Sequence, residues 1–119
     1  MEIKKGDRGM GITKEQIDIC EDLGWSVRID SDGDIELENW SPAGEDLVFY
    51  VKKGDDFAKA VSRISEYFDI DEHVEPLVEI RGTRGVPSSV RVLVDDAYEI
   101  EKMLDELSMH LAISEGNSR

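Results

Sequence analysis

Acidic side chains at every second position are the feature of this sequence that points most directly to chemistry. They are Asp30, Asp32, Asp34, Glu36 and Glu38. Alternate side chains of a β-strand lie on one face, about 6.5–7 Å apart. Carboxylates at that interval are spaced like the phosphates of a DNA strand, which indicates a surface that imitates nucleic acid. The other interpretation is the solvated face of a half-covered sheet.

The charge of the whole chain favours an acidic binding surface. The chain has 28 Asp and Glu against 14 Lys and Arg, a net charge of −14. A field of this sign repels nucleic acid and anionic membranes and attracts basic surfaces. We therefore predict that the partner is a basic nucleic-acid-binding surface of a host protein, with no direct binding to nucleic acid or membrane. Solubility alone is the alternative explanation.

A second acidic cluster lies in the first half of the last predicted helix and would extend the acidic row. Trp40, at the end of that row, is of a type that often anchors protein interfaces. The predicted partner-binding residues are Asp30, Asp32, Asp34, Glu36, Glu38, Trp40, Asp95, Asp96, Glu99 and Glu101.

Two carboxylate-rich segments contain side chains of the types that bind metal ions. In an EF-hand calcium loop the glycine follows the third acid, whereas Gly33 comes between the second and third acids of its segment, which favours a hairpin turn. Residues 69–75 offer several acids and His73, but His110 is the only other histidine. A histidine-rich centre is therefore impossible, and a solvated helix start is favoured. We predict no metal and no cofactor.

An anion site is a further alternative. Arg81, Arg84 and Ser88 precede a predicted helix start, in a loop with two glycines. Backbone N–H groups at such a start can hold an anion, although the lysine of a P-loop is missing. A capped loop whose arginines pair with carboxylates explains the same residues.

No pattern indicates catalysis. A nucleophilic mechanism needs a serine, threonine or cysteine beside a base and an orienting group, and no spacing supports such a set. Cys20 falls on an apolar helical stripe, which is typical of a small core residue. We predict that the protein is not an enzyme and has no catalytic residues.

Three consecutive strands must position the acidic row. The predicted strands cover residues 25–30, 34–40 and 47–52. Asp32-Gly33 between the first two is a strong hairpin signal. The second strand alternates, with Ile35 and Leu37 on one face and acids on the other. The third is almost continuously apolar, which favours a central or well-covered strand.

Helices are predicted before and after the strands. Thr13 and Gln16 have the spacing of a capping box, and apolar residues recur at helical spacing over residues 56–68. A third helix is predicted over residues 74–81, with Pro76 tolerable only in its first turn, and a short strand over residues 77–80 is the competing prediction. After a short helix through residue 94, Asp95-Asp96 is predicted to start a longer one with an apolar core stripe. That stripe is Ile100, Leu104, Leu107 and Leu111.

This order of elements predicts an α+β fold, a three-stranded antiparallel meander packed on one face by helices in the order α-β-β-β-α-α-α. A chain of 119 residues is long enough for one domain. We predict a flexible N-terminal arm at residues 1–12, a single domain at 13–114 and a frayed tail at 115–119. A single cysteine and the lack of a signal sequence predict a cytoplasmic location.

Three segments resemble motifs of a known group of proteins. They are Asn39–Asp46, Asp71–Glu75 and Arg81–Val90. Over roughly residues 25–113 the chain is similar to small uncharacterised acidic proteins carried by phages and conjugative elements of Firmicutes. Pro76 departs from that group, in which a bulky apolar residue is expected. The element order and the acidity are also similar to those of anti-CRISPR proteins that imitate DNA.

The charge pattern and this resemblance predict a non-enzymatic acidic binding protein of a mobile element. It would inhibit a host defence nuclease, of anti-CRISPR or anti-restriction type, by imitating nucleic acid. Two alternatives stay open. One is a protein–protein adaptor that uses Trp40, Pro42 and the loop at residues 81–89, and the other is a small-anion-binding domain that uses the same loop.

Overall fold

The computed structural model describes residues 11–81, 86–87 and 89–117. It confirms the α+β class and the order α-β-β-β-α-α-α. The elements are α1 (Lys14–Asp22), β1 (Ser26–Ile29), β2 (Ile35–Trp40), β3 (Asp46–Val51), α2 (Phe57–Tyr67), α3 (Ile70–Ile80) and α4 (Val90–Asn117). None of the helices in these ranges has both the length and the apolar character needed to cross a bilayer.

The strands form an antiparallel meander in the order β1-β2-β3. Ile35 of β2 lies between Ile29 of β1 and Val51 of β3, and Leu37 is buried on the same face. Because side chains alternate along a strand, burial of this face directs the glutamates of β2 to the opposite face. The helices therefore cover one face of the sheet, as predicted.

The central strand is β2, so the expectation that the third strand is central or well covered is wrong. β3 is an edge strand, and its apolar run divides between two faces. Leu47 and Val51 are buried, whereas Val48 and Tyr50 are exposed. The composition of β3 thus reflects an apolar outward face and not a fully covered strand.

Asp30 and Gly33 shape the turn between β1 and β2 and confirm the predicted hairpin. Gly33 has a φ of 92°, which favours glycine, and its N–H donates to the Asp30 carbonyl at 3.0 Å. One carboxylate oxygen of Asp30 accepts from the N–H groups of Asp32 at 2.9 Å and Asp34 at 3.0 Å. This carboxylate stabilises the turn by accepting hydrogen bonds from two backbone N–H groups.

The apolar stripe of α4 forms the centre of the core, as predicted. It packs with the inner face of the sheet and with residues of α1 and α2, and its four members are Ile100, Leu104, Leu107 and Leu111. Cys20 of α1 is fully buried in the same cluster. Burial raises the pKa of its thiol to about 12, which agrees with a core residue and not a nucleophile.

The ends of the predicted domain differ in detail from expectation. Residues 1–10 of the predicted arm lie outside the described residues, whereas Ile12 is buried in the core. The capping box of Thr13 and Gln16 is present at the start of α1. α4 continues to Asn117, into the segment predicted as a tail, and residues 118–119 are not described.

Two predictions about the later helices are wrong. Val90–Asn117 is one continuous helix, with the Ser89 hydroxyl accepting from the Val92 N–H at 3.2 Å, so Asp95-Asp96 does not start a new helix. In α3, Pro76 lies in the helix interior and not in the first turn. Val74 of α3 packs with Leu93 and Ala97 of α4, and this contact helps to hold α3 despite its proline.

Replacing Pro76 by alanine should stabilise the domain. Proline inside a helix removes a backbone hydrogen bond and destabilises the folded state by about 3 kcal/mol. Proline also restricts the unfolded chain, which offsets about 1 kcal/mol of that loss. We therefore expect Pro76→Ala to raise the free energy of unfolding in urea by about 1–2 kcal/mol. Glu79→Ala, an exposed change on the same helix, is the control and should shift it by less than about 0.5 kcal/mol. A less stable Pro76→Ala variant would contradict this expectation.

Candidate functional site

The sheet face that the helices leave uncovered is the candidate site, and we call it the outer face. Alternation along the strands places there every second side chain of β1, β2 and β3. Its members are Ser26, Arg28, Glu36, Glu38, Trp40, Asp46, Val48 and Tyr50. Only part of this set belongs to the predicted acidic row.

Arg28 interrupts the negative charge of the outer face at Glu36. The two residues are cross-strand neighbours, and Arg28 Nη2 lies 2.7 Å from Glu36 Oε1. The hydrogen bond to Glu36 raises the pKa of the Arg28 guanidinium. The charge of Glu36 is therefore compensated within the chain.

The three aspartates of the row belong to the turn and not to the face of β2. The strand begins only at Ile35. The carboxylate of Asp34 accepts the Lys53 N–H at 2.8 Å, and that of Asp30 accepts within the turn. Asp32 is exposed at the tip. The predicted acids therefore do not form one uninterrupted row.

Glu38 and Asp46 form the remaining acidic pair of the outer face. A hydrogen bond that the protonated Glu38 carboxyl donates to Asp46, and then the negative charge of Asp46, raise the pKa of the Glu38 carboxyl. Neither side chain makes an ion pair within the described part of the chain. Trp40 lies directly opposite Asp46 and is 55% exposed, and Tyr50 on β3 is 64% exposed. The outer face thus combines a concentrated negative charge with accessible aromatic rings.

The acidic residues of α4 are not part of the outer face, because α4 packs against the other side of the sheet. Asp95 and Glu99 are exposed there, with Glu99 Oε2 at 3.4 Å from Lys102 Nζ, and Glu101 is partly buried. The predicted acidic surface therefore divides into two separate regions.

Asp96 is buried and has a structural role. Its carboxylate accepts from the Ser41 hydroxyl, and its Oδ1 accepts the Ala43 N–H at 2.9 Å. The Ser41 hydroxyl in turn accepts the Glu45 N–H at 2.9 Å. These bonds hold the loop between β2 and β3 against α4, and so fix the end of the sheet where Trp40 and Asp46 meet.

The structure contains no described group of three or more His, Cys, Asp or Glu side chains arranged for a metal ion. His73 Nε2 instead lies 3.0 Å from Glu45 Oε1, and its ring packs on Phe68 with centroids 5.1 Å apart. His110 is exposed on α4. His73 therefore contacts Glu45 and lines a cavity beside Asp46 and Val48 without forming part of such a group.

The predicted anion site can be followed only at Arg81, because Arg84 and Ser88 lie outside the described residues. Arg81 Nη1 donates to the Val78 carbonyl at 2.6 Å. This contact ties the side chain to the end of α3.

Comparison with protein-family models, curated proteins and solved structures finds no match to this chain. The resemblance to acidic proteins of mobile elements therefore stays a prediction.

Five residues of the outer face were not predicted from the sequence, namely Ser26, Arg28, Asp46, Val48 and Tyr50. Their positions follow from the register of the strands. The length of the loop between β2 and β3 was the signal that could have located Asp46 opposite Trp40.

Removing the Asp96 carboxylate should destabilise the domain. Asp96→Ala leaves the buried Ser41 hydroxyl and the Ala43 N–H without their acceptor, so the free energy of unfolding should fall by about 2–3 kcal/mol. Asp95→Ala removes the same charge from the exposed neighbouring position and should change it by less than about 0.5 kcal/mol. Equal effects of the two substitutions in urea unfolding would rule out the structural role of Asp96.

Asp46→Asn should lower the pKa of Glu38, because the charge that disfavours ionisation of Glu38 is removed. Carboxyl ¹³C NMR titration measures this change, with Asp32→Asn in the distant turn as control. A raised carboxyl pKa means that the folded state binds the proton more tightly. The contribution of the pair to stability should therefore decrease as the pH rises above the ordinary carboxyl range of about 4–5. An unchanged Glu38 titration in Asp46→Asn would contradict the coupling.

Proposed function

We propose that this protein is a non-enzymatic acidic binding protein that docks its outer face on a basic, nucleic-acid-binding surface of another protein and competes there with nucleic acid. The observation that carries the proposal is the Glu38–Asp46 pair, which lies beside the exposed Trp40 and near Tyr50 without a cationic partner among the described side chains.

The electrostatics favour a basic partner. The net charge of −14 supplies a long-range field that accelerates encounter with a positive surface. The pKa of Glu38 is raised by its hydrogen bond to Asp46 and by the negative charge of Asp46, so two acidic groups lie close together here. A lysine or arginine of the partner would relieve this repulsion on binding, so the pair is suited to a positive contact.

The aromatic residues favour a protein as the partner. Trp and Tyr are enriched among the residues that contribute most to protein–protein binding. Trp40 and Tyr50 expose their rings on the outer face. Val48 adds apolar surface on β3, between Tyr50 and the position opposite Trp40. The interface would therefore combine apolar contact with charge, which differs from the purely electrostatic row predicted from the sequence.

The resemblance to acidic proteins of phages and conjugative elements supports a more specific role. A mobile element benefits when a host defence nuclease cannot hold nucleic acid in its basic channel. We therefore propose an inhibitor of such a nuclease, of anti-CRISPR or anti-restriction type, as the biological form of this activity.

Charge reversal on the outer face should abolish capture of the partner. The full chain is immobilised and exposed to a nuclease-treated host lysate at low salt, and bound protein is eluted with duplex DNA. We expect Glu38→Lys with Asp46→Lys to reduce DNA-eluted protein more than about tenfold, because two attractive contacts become repulsive. The matched control, Asp95→Lys with Glu99→Lys, reverses the same number of charges on the opposite side and should retain capture.

Two outcomes would contradict the proposal. Equal loss with both double variants would mean that only net charge matters. Capture that duplex DNA and high salt do not reverse, but that Trp40→Ala removes, would favour the protein–protein adaptor, since apolar contact depends little on salt.

A further inference from the structure

The open edge of β3 presents unpaired backbone groups. The Ser41 N–H donates to the Glu45 carbonyl at 2.9 Å, which makes these two residues a hydrogen-bonded pair in the ladder of β2 and β3. Alternation along an antiparallel ladder then directs every second residue of β3 toward β2 and the others outward. The outward groups belong to Asp46, Val48 and Tyr50. They make no backbone hydrogen bond to another element in the described part of the chain.

Beyond Asp46 at its start, this edge lacks the features that usually protect an edge strand. Natural edges are blunted by proline, by charged residues within the strand, by bulges or by a covering element. Residues 47–51 of β3 are all apolar or aromatic, without proline or glycine, and pair with β2 in an unbroken register. Such a segment readily pairs with another strand.

A groove follows the edge and leaves room for an additional strand. A cavity of about 430 Å³ is lined by the consecutive residues 46–49, together with Tyr67, Phe68 and Glu72. Consecutive residues point to opposite faces, so a cavity that they share lies beside the backbone at the edge of the sheet. A second cavity of about 420 Å³ continues along residues 50–52 and shares Tyr67. We call the two cavities together the edge groove.

The charge of the edge groove indicates which segment fits it. The described lining of the first cavity contains no lysine or arginine. Its one histidine, His73, lies against Glu45, and its other acids are Asp46, Asp69 and Glu72. The second cavity contains Lys52 and Arg63. A segment with basic side chains at the Asp46 end is therefore complementary, whereas a second copy of a chain with net charge −14 would be repelled.

We infer, on the basis of the proposed function, that the open edge of β3 accepts an extended basic segment of the partner protein as a fourth strand. Backbone hydrogen bonds to Val48 and Tyr50 supply affinity, and alternate lysine or arginine side chains of the segment reach Asp46 on the outer face. Recognition of the partner therefore includes its backbone conformation as well as its charge.

The probe is a capped octapeptide of alternating lysine and valine, titrated into the ¹⁵N-labelled full chain. We expect amide hydrogen exchange at Val48 and Tyr50 to slow by at least about tenfold at saturation, because their N–H groups become hydrogen-bonded. Val48→Pro removes an outward N–H without breaking a bond to β2 and should weaken binding at least about tenfold. Val48→Ala keeps that N–H, removes the side chain and should weaken binding less than about threefold.

Two control peptides separate the edge from general attraction to an acidic protein. The same octapeptide N-methylated at alternate positions keeps its charge but loses backbone donors, and alternating glutamate and valine reverses the charge. Equal binding of either control would overturn the inference, as would no binding of the lysine peptide or equal effects of Val48→Pro and Val48→Ala. If hydrogen exchange at Val48 and Tyr50 slows without peptide as the protein concentration rises, the occupant is a second copy of the chain. That result would also overturn the inference.

The lysate capture distinguishes failure of this inference from failure of the proposed function. If Val48→Pro retains capture while the Glu38 and Asp46 reversal abolishes it, the outer face binds and the edge does not. If both variants retain capture, both proposals fail.

Discussion

Burial of one face of a three-stranded sheet against α4 is the constraint on which the rest of the structure depends. The stripe of α4 that contains Leu104 and Leu107 covers Ile35 and Leu37 of β2. Because side chains alternate along a strand, this burial exposes Glu36 and Glu38 on the other face. A small core and an accessible acidic face are therefore two results of the same pairing pattern.

The acidic side chains of this protein differ in whether they are engaged within the chain or accessible to a partner. Asp96 is buried and accepts a hydrogen bond from the loop between β2 and β3. Asp30 accepts backbone hydrogen bonds in its turn, and Glu36 forms an ion pair with Arg28. Glu38 and Asp46 remain on the outer face, where Asp46 raises the pKa of the Glu38 carboxyl. The excess of acids in the composition therefore overstates the acidic surface that a partner could contact.

Periodicity in the sequence predicted the elements well, whereas contacts between distant residues were not accessible to it. The alternation of β2 and the apolar stripe of α4 are local patterns, and both were confirmed. The Asp96–Ser41 contact joins residues 55 positions apart, and the Arg28–Glu36 pair depends on strand register. An apolar run also cannot distinguish a central strand from an edge strand with an apolar outer face, which explains the error at β3. Pro76 was misplaced because packing of α3 on α4 outweighs a local preference.

The buried thiol of Cys20 gives the molecule a practical property. It is the only cysteine in the chain, it is inaccessible, and its pKa of about 12 leaves almost no thiolate at neutral pH. Maleimides are electrophiles that a thiolate attacks, so the folded protein is effectively inert to them. A cysteine introduced at an exposed position such as Ser26 would therefore accept a fluorophore or spin label selectively, in an otherwise native background.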